Sequence, residues 1–445
     1  MDRRLPEPSA ASARPTRRNL KLSAADGGCF GGMVACGETY LPAFALALGL
    51  SEMAAALAAS VPVLCGGLMQ LISPWALEKV GGPKRWIVVC ATVQALSFVP
   101  LIYAAMIGSL PLAALLVIAS VYWASGMATG PAWNTWMEDI VPSRLRTDYF
   151  PRRTRVQLIS TFAVLIASGL FLQFAEDRGH AMMAFAVLFS LAAVLRLISV
   201  GLLASHQTPE PRWPAPKRSM PAPSSVGTSP YRLITFLVMV QASVQLSGPF
   251  FAPYMLVQLQ FGYGQYMLLV SLAFVSKVIA LRFLGRLAKR FGAMTLLVVG
   301  SIGLVPLSAM WIVSQDMVYL CVIQLISGVV WAAYELGFFL LFFEAMPVAQ
   351  RTRLLSYYNF ANSVALVCGA SLGAVLLSQF GCTPEVYFWL FGLSSAGRLA
   401  CLPVLLGTSF SKKTTIRGMT LRALSLRPAG GSLDVPVLPS IQRGD

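Results

Sequence analysis

The chain has 445 residues, of which 56% are hydrophobic and 12% charged, and its mean hydropathy is +0.69. This composition excludes a set of soluble domains, because so much apolar surface cannot be buried inside them. The net charge of +16 would suit a nucleic-acid partner, but no recognition motif accompanies it. The composition therefore predicts an integral membrane protein that binds no nucleic acid.

Apolar windows of about 20 residues predict a chain made of twelve transmembrane helices. They lie at 27–50, 53–73, 86–107, 111–132, 156–175, 181–204, 233–256, 263–284, 294–314, 318–342, 355–379 and 386–407. Of the 34 Lys and Arg residues, 30 fall on the side that carries both chain ends, counting Arg282 at that end of span eight. The positive-inside rule then predicts that both ends are cytoplasmic in an inner or plasma membrane, with basic loops near anionic lipid.

The segments outside the spans divide the chain into five parts. We expect a basic cytoplasmic tail at 1–22, a six-helix half at 23–204, a Pro-rich linker at 205–231, a second six-helix half at 232–409 and a disordered tail at 410–445. The eight cysteines form no C-x-x-C pair, and the two histidines lie outside the spans. We therefore expect no metal site and no cofactor.

The first span contains the acid Glu38, beside Tyr40 and ahead of Pro42. A charge inside the membrane is expensive, so this glutamate is a candidate for binding a proton or the solute, and Tyr40 is grouped with it. The alternative is a neutral glutamic acid that hydrogen-bonds a carbonyl freed by the proline.

Charged residues crowd two loops that follow the fourth and tenth spans. Asp139 precedes Arg146 by seven positions, and Glu344 precedes Arg351 by the same distance. An acid at the C-terminal end of a helix is disfavoured by about 0.3–1 kcal/mol, so each acid needs a cation nearby. Further charged and turn residues stand in the loops after spans two and eight: the acid Glu78, the cations Lys79, Arg85 and Arg290, and Gly81.

The second half carries most of the polar residues found within spans. Glu335 in span ten and Lys277 in span eight lie at similar depth, which predicts either a static ion pair or a site that binds a proton or solute. Helical spacing places Trp331, Tyr334 and Phe338 on the face of Glu335.

Span seven adds Gln241, Gln245 and Phe251 on a comparable stripe. An aromatic face with a few polar groups suits an amphipathic organic molecule, although helix packing also uses such faces. We expect Arg196 and Arg398, in spans six and twelve, to be structural anchors.

The two halves also resemble each other. At an offset of 211, Pro42 aligns with Pro253 and Gly81 with Gly292. An offset of 205 aligns the Asp139 loop with the Glu344 loop, and one of 202 pairs the arginines at 196 and 398. Four matches in order predict parallel repeats of six helices, an arrangement in which a site lies between two rocking halves.

The loop "PWALEKVGGPKR" and the repeated E/D-x6-R spacing resemble the major facilitator superfamily over about residues 20–410, the second motif being similar to its sugar-porter branch. The loop departs from the family pattern in having Pro74 for the first glycine and one extra residue before its last basic pair. The resemblance implies a twelve-helix facilitator fold. It also implies that the charged loops hold the two halves together on the cytoplasmic side, whereas an ordinary snorkelling loop is the alternative.

We therefore expect a monomeric secondary transporter of a small organic solute, working by alternating access and coupled to protons through Glu38 or Glu335. The alternatives are an exporter of drugs or metabolites and a non-transporting receptor or assembly factor with the same fold. No phosphate-binding loop and no nucleophile–base constellation is visible, so we expect neither an ATPase nor another enzyme.

Overall fold

A computed structural model describes residues 10–141, 143–207, 228–345 and 351–406. Within these ranges all regular elements are helical. We number the membrane-crossing segments α1 to α12. The first half contains α1 (Ala10–Cys36, continued by Leu41–Ala47), α2 (Glu52–Val80), α3 (Pro83–Leu96 and Phe98–Ile107), α4 (Leu112–Ile140), α5 (Ser143–Glu176) and α6 (Ala181–Ala204).

The second half repeats this series. It contains α7 (Thr228–Ser247, continued by short turns to Gln258), α8 (Tyr263–Phe291), α9 (Ala293–Val313), α10 (Met317–Ala345), α11 (Arg351–Phe380) and α12 (Pro384–Leu406). Eleven helices in the described residues are long and apolar enough to cross a membrane. The remaining predicted span is α1, which a short 3-10 turn at Glu38–Tyr40 divides into two pieces. The prediction of an all-α membrane fold with twelve crossings in two six-helix repeats is confirmed.

Helix α1 begins at Ala10, well before the span predicted from residue 27. Its additional turns place three polar side chains, Asn19, Ser23 and Asp26, in buried positions. An apolar window cannot detect such turns, because their buried face is polar.

The repeat appears in the backbone as well as in the sequence. In α1 a 3-10 turn precedes Pro42, and in α7 the 3-10 turn Gly248–Phe250 precedes Pro253. The aligned glycines Gly81 and Gly292 both have positive φ, +83° and +89°, at the reversals from α2 to α3 and from α8 to α9. Their ψ angles differ, 34° at Gly81 and 159° at Gly292, so the two turns are not identical. Both conformations are open to glycine without the steric cost of a Cβ atom, which explains why a glycine stands at each reversal.

The two halves pack together along two helix pairs, α2 against α11 and α5 against α8. Gly67 of α2 lies so close to Ser363 of α11 that an added Cβ would come within 2.3 Å of its Oγ. Gly169 of α5 is similarly close to Met267 of α8. Small residues thus let helices from opposite halves approach each other, as is common in membrane bundles.

Large apolar side chains point away from the bundle on many helices, for example Ile159, Leu170, Phe283 and Val299, all of them exposed. A soluble protein rarely leaves so much apolar surface uncovered. The bundle therefore presents a lipid-facing exterior, in agreement with the composition.

Candidate functional site

A cavity of about 260 Å³ lies in the second half of the bundle. Residues of α7 to α12 line it, and Ala59 of α2 is the one contribution from the first half. We expected a site between the halves, so the cavity lies to one side of the predicted place. The polar part of its wall consists of Gln245, Lys277, Ser308, Gln324, Ser327, Glu335 and Arg398.

The irregular end of α7 forms one side of the cavity. After Ser247 the helix tightens into a 3-10 turn, and from Tyr254 to Gln258 it widens into a π-helical turn. Pro249 and Pro253 cause this change, since each lacks the amide hydrogen that a regular helix needs. Gly248, Pro249 and Ala252 are small and line the cavity, so the break leaves open space where longer side chains would otherwise pack.

Lys277 of α8 and Glu335 of α10 form a buried ion pair in the cavity wall. The lysine Nζ lies 2.9 Å from Oε1 and 2.7 Å from Oε2 of the glutamate. Both side chains are largely shielded, with 10% and 5% of their surface exposed. The two residues thus form the ion pair that was one of the two predictions, and both line the cavity.

The predicted aromatic face of α10 divides between two neighbours. Trp331 and Glu335 line the cavity, one helical turn apart. Tyr334 instead packs against α9, where a Cβ on Gly300 would lie 2.4 Å from its backbone nitrogen. Phe338 contacts Tyr358 of α11, with ring centroids 5.1 Å apart. Residues on one helical face therefore meet different partners, because α9 packs along α10 at Tyr334 while α11 contributes Tyr358 beside Phe338.

The two glutamines of α7 are likewise separated. Gln245 lines the cavity, whereas Gln241 is buried one turn away and is not part of the wall. Phe251, predicted on the same stripe, also lines the cavity. Aromatic side chains that sequence patterns did not single out complete the wall, namely Tyr266, Phe274 and Trp311. With Phe251 included, these aromatic side chains belong to α7, α8 and α9, so no single helical period could group them.

Arg398 of α12 also reaches the cavity and is 4% exposed. Nη1 donates to the carbonyl of Leu304 at 2.9 Å, and Nη2 donates to Ser394 at 3.0 Å and to Ser247 at 3.3 Å. These bonds tie α12 to α9 and α7, so the residue is the anchor that we expected. It is at the same time a charged group of the cavity wall, which the sequence did not predict.

The first-half candidates lie away from this cavity. Glu38 is half-buried and accepts a 2.8 Å hydrogen bond from the hydroxyl of Tyr122 on α4. Tyr40 is fully buried, and its hydroxyl donates to the carbonyl of Leu165 at 3.3 Å. Neither residue contributes to the cavity wall that contains Lys277 and Glu335.

A buried acid that sequence reasoning missed, Asp26, connects three helices of the first half. One oxygen forms a salt bridge with Arg153 of α5 at 3.1 Å. The other accepts a 2.7 Å hydrogen bond from Ser199, whose hydroxyl also accepts from Arg196 at 3.0 Å. The signal that could have identified it is an acid within helical reach of the first span. Hydropathy alone does not mark Asp26, because this residue precedes the apolar window by one position.

The charged loops are described only in part. Gly81 ends α2 with positive φ, Arg85 is exposed, and the Nζ of Lys79 lies 4.0 Å above the ring of Trp75. Arg290 is exposed beside Phe291. The side chains of the remaining predicted network lie outside the described residues; they are Glu78, Asp139, Arg146, Glu344 and Arg351.

At the other end of the bundle, polar contacts join the halves directly. Glu52 at the start of α2 accepts hydrogen bonds from the hydroxyl of Tyr387 and, at 2.9 Å, from Gln258. Gln173 of α5 accepts from the backbone nitrogen of Gly264 on α8 at 2.9 Å. The end opposite the Lys79 and Arg290 loops is therefore held closed by contacts between first-half and second-half residues.

Comparison with known proteins agrees with this architecture. Residues 233–438 match the family model described as Major Facilitator Superfamily. A D-xylose-proton symporter is similar in structure, with a TM-score of 0.68, 15% identity, and 91% of this chain and 99% of that one covered. A mutant form of the nucleoside transporter NupG has a TM-score of 0.67 and 14% identity, with 88% of this chain and 99% of that one covered. A bacterial homologue of the iron transporter ferroportin in its inward-facing state has a TM-score of 0.67 and 17% identity, with 88% of this chain and 98% of that one covered. No curated protein matches the sequence.

Two parallel six-helix repeats, with a polar cavity among the helices of the second, define a polytopic membrane protein. The match of the second half and the structural similarities confirm the resemblance to the major facilitator superfamily, and the chain has the major facilitator fold.

Proposed function

We propose that the chain is a secondary active transporter that carries a small organic solute by alternating access, coupled to protons through Glu335. The observation that carries this proposal is the buried Lys277–Glu335 pair in the wall of a cavity. Intramembrane ionisable residues are expensive, and in transporters they mark proton and substrate pathways. The fold is one that transporters use, and a proton symporter of D-xylose is among the similar structures.

The ion pair gives a physical route for coupling. A proton that binds the carboxylate of Glu335 removes its negative charge and leaves the cation of Lys277 without its partner. A buried charge that has lost its partner is unfavourable by several kcal/mol, so protonation changes which arrangement of α8 and α10 is preferred. A solute that replaces the lost contact with Lys277 would offset this cost, and proton and solute would then move together.

The cavity also favours transport over the receptor alternative. A receptor that kept the fold has no need for an internal space, whereas this space is lined by charged, amide and aromatic side chains. Its volume of about 260 Å³ is close to the lower limit of ordinary ligand pockets, which favours a small solute over the large compounds that drug exporters carry.

The test is the pH change inside proteoliposomes loaded with a pH-sensitive dye, across a panel of sugars, amino acids, organic acids and cationic dyes. Wild type is compared with Glu335→Gln, with Glu38→Gln, and with Glu385→Gln as a control at an exposed position. Solute-dependent proton movement that is lost only in Glu335→Gln supports the proposal. Loss of proton movement only in Glu38→Gln would indicate that Glu38, and not Glu335, couples solute to protons.

Uptake of radiolabelled solutes separates the remaining outcomes. Uptake without proton movement would contradict proton coupling and indicate a facilitator or a sodium-coupled carrier. No uptake of any panel member would contradict transport itself and favour a receptor.

We also propose that both chain ends lie in the cytoplasm of a cell whose inner or plasma membrane holds the protein. The support is the distribution of cations, 30 of 34 on one side. A reporter that fluoresces only in the cytoplasm, fused to either end, should be bright. A dark fusion at both ends would reverse the orientation.

A further inference from the structure

Arg398 is a buried cation for which the described residues supply no carboxylate. The groups that accept its hydrogen bonds, a carbonyl of Leu304 and the hydroxyls of Ser247 and Ser394, are all uncharged. Its Nε is buried and has no hydrogen-bond partner. Burying a charge is costly unless it is paired, so this guanidinium needs a negative partner from elsewhere.

The repeat-related arginine shows what such a partner looks like. Arg196 occupies the corresponding place in α6 and has a carboxylate close by, because Ser199 links it to Asp26. At the offset of 211 the position of Asp26 corresponds to Leu237, a buried apolar residue. The second half thus has the arginine, but a leucine stands in place of the acid that balances it.

The two arginines also differ in whether they face the cavity. Arg398 lines the cavity, whereas Arg196 does not. In the cavity wall the charges of Lys277 and Glu335 cancel each other, so Arg398 leaves one net positive charge facing the space. A guanidinium binds carboxylates well, because its N–H groups match the geometry of the two oxygens.

We propose that the cavity binds a small organic monoanion, a carboxylate with an aromatic or aliphatic body, and that Arg398 is its counter-charge. This inference rests on the proposed function, in which the cavity holds the transported solute. While the pair of Lys277 and Glu335 is intact, the single net charge of the wall favours a monoanion over a dianion. The body of the molecule is expected to lie against Phe251, Phe274, Trp311 and Trp331, which line the same space.

The proposal separates this cavity from one made for sugars or amines. A neutral polyol can accept a hydrogen bond from the guanidinium but gains no attraction between charges, and a cation is repelled by it. An amide of the same shape as the carboxylate fills the cavity equally well but brings no charge. The preference for a carboxylate over its own amide therefore isolates the contribution of Arg398.

The experiment measures binding to the purified full-length protein in detergent by titrating intrinsic tryptophan fluorescence, which Trp311 and Trp331 report from the cavity wall. The probes are two matched pairs, phenylacetate with phenylacetamide and hexanoate with hexanamide, and the cation 2-phenylethylamine. For at least one pair we expect the carboxylate to bind wild type about 10- to 100-fold more tightly than the amide, and the amine to bind most weakly.

Three variants connect that preference to one side chain. In Arg398→Gln the ratio of carboxylate to amide affinity should fall to near unity. In Arg398→Lys, which keeps the charge but not the planar set of guanidinium donors, part of the preference should remain. Arg196→Gln, which changes the repeat-related arginine outside the cavity, should keep the wild-type preference. If Arg398→Gln does not fold, the wild-type comparison and the lysine variant decide the question.

The proposal is overturned if each amide binds wild type as tightly as its carboxylate, if neither carboxylate binds, or if the preference survives in folded Arg398→Gln. Failure of this inference is distinguishable from failure of the proposed function. Proteoliposome uptake of a neutral or cationic solute alone would support transport and contradict the anion site. Selective carboxylate binding without any uptake would support the anion site and contradict transport.

Discussion

The ion pair between Lys277 and Glu335 should respond differently to single and to double replacement. Glu335→Gln leaves the buried ammonium of Lys277 without its charge partner, and Lys277→Met removes the charge partner of the buried Glu335 carboxylate. Because both side chains are at least 90% shielded, solvent screens the lost interaction only weakly. Breaking such a pair typically reduces the free energy of unfolding by about 3–5 kcal/mol.

The double variant Lys277→Met/Glu335→Gln removes both charges at once. Replacing a buried pair by uncharged groups of similar volume is often neutral or even stabilising, so the double variant should lie within about 1–2 kcal/mol of wild type. The coupling energy of the cycle is then about 4 kcal/mol or more, far above the roughly 0.5 kcal/mol within which distant sites add.

The assay is reversible unfolding in mixed detergent micelles, followed by tryptophan fluorescence, for wild type, both single variants and the double variant. Glu385→Gln, at an exposed position, controls for loss of an acid and should unfold at the same denaturant concentration as wild type. Single variants that each cost under about 1 kcal/mol, and whose effects add in the double variant, would refute the reasoning. The pair would then be solvated or broken in the membrane.

Three further predictions concern other parts of the bundle. Burial lowers the pKa of His206 in the folded protein, so the unfolded chain binds a proton at this histidine more readily. The free energy of unfolding should therefore decline as the pH falls below about 6.5, which thermal melting between about pH 7.5 and 5 measures. Burial and the charge of Glu52 raise the pKa of the Cys382 thiol, so Glu52→Gln should speed its labelling by an impermeant maleimide at about pH 8. Gly337→Ala should destabilise by about 1–3 kcal/mol, because the new Cβ would lie 2.4 Å from the backbone nitrogen of Leu297.

Each of these predictions has a matched control. His206→Phe keeps a ring against Trp136, and the acid-induced loss should be smaller in it than in wild type. Labelling should disappear in Cys382→Ser; an unchanged rate in Glu52→Gln would mean that the acid does not influence the thiol. Gly201→Ala, at a helical glycine with nothing within 4 Å of the new Cβ, should be neutral or stabilising by about 0.5–1 kcal/mol. Equal effects at both glycines would contradict the close packing of α9 and α10.

The pattern of the sequence was sufficient for the architecture. Runs of apolar residues define the spans because lipid imposes a fixed length on every crossing. The repeat could be seen from Pro42 and Pro253 and from Gly81 and Gly292, because a break in a helix and a left-handed turn each need a particular residue type. The pairing of Lys277 with Glu335 was also predictable, since two opposite charges at one depth have few other ways to be accommodated.

The tertiary structure alone decided which of these residues share a site. Helical period placed Trp331 and Tyr334 on one face, but the direction from which α9 approaches separates them, one into the cavity and one against Gly300. The sequence did not identify Asp26 as a buried acid, because its turn of α1 is polar. Only the packing of α5 and α6 around it shows that it is buried. Arg398 could be read as an anchor, yet its exposure to a cavity depends on six helices together. A one-dimensional period records which residues face the same way, and it does not record what they face.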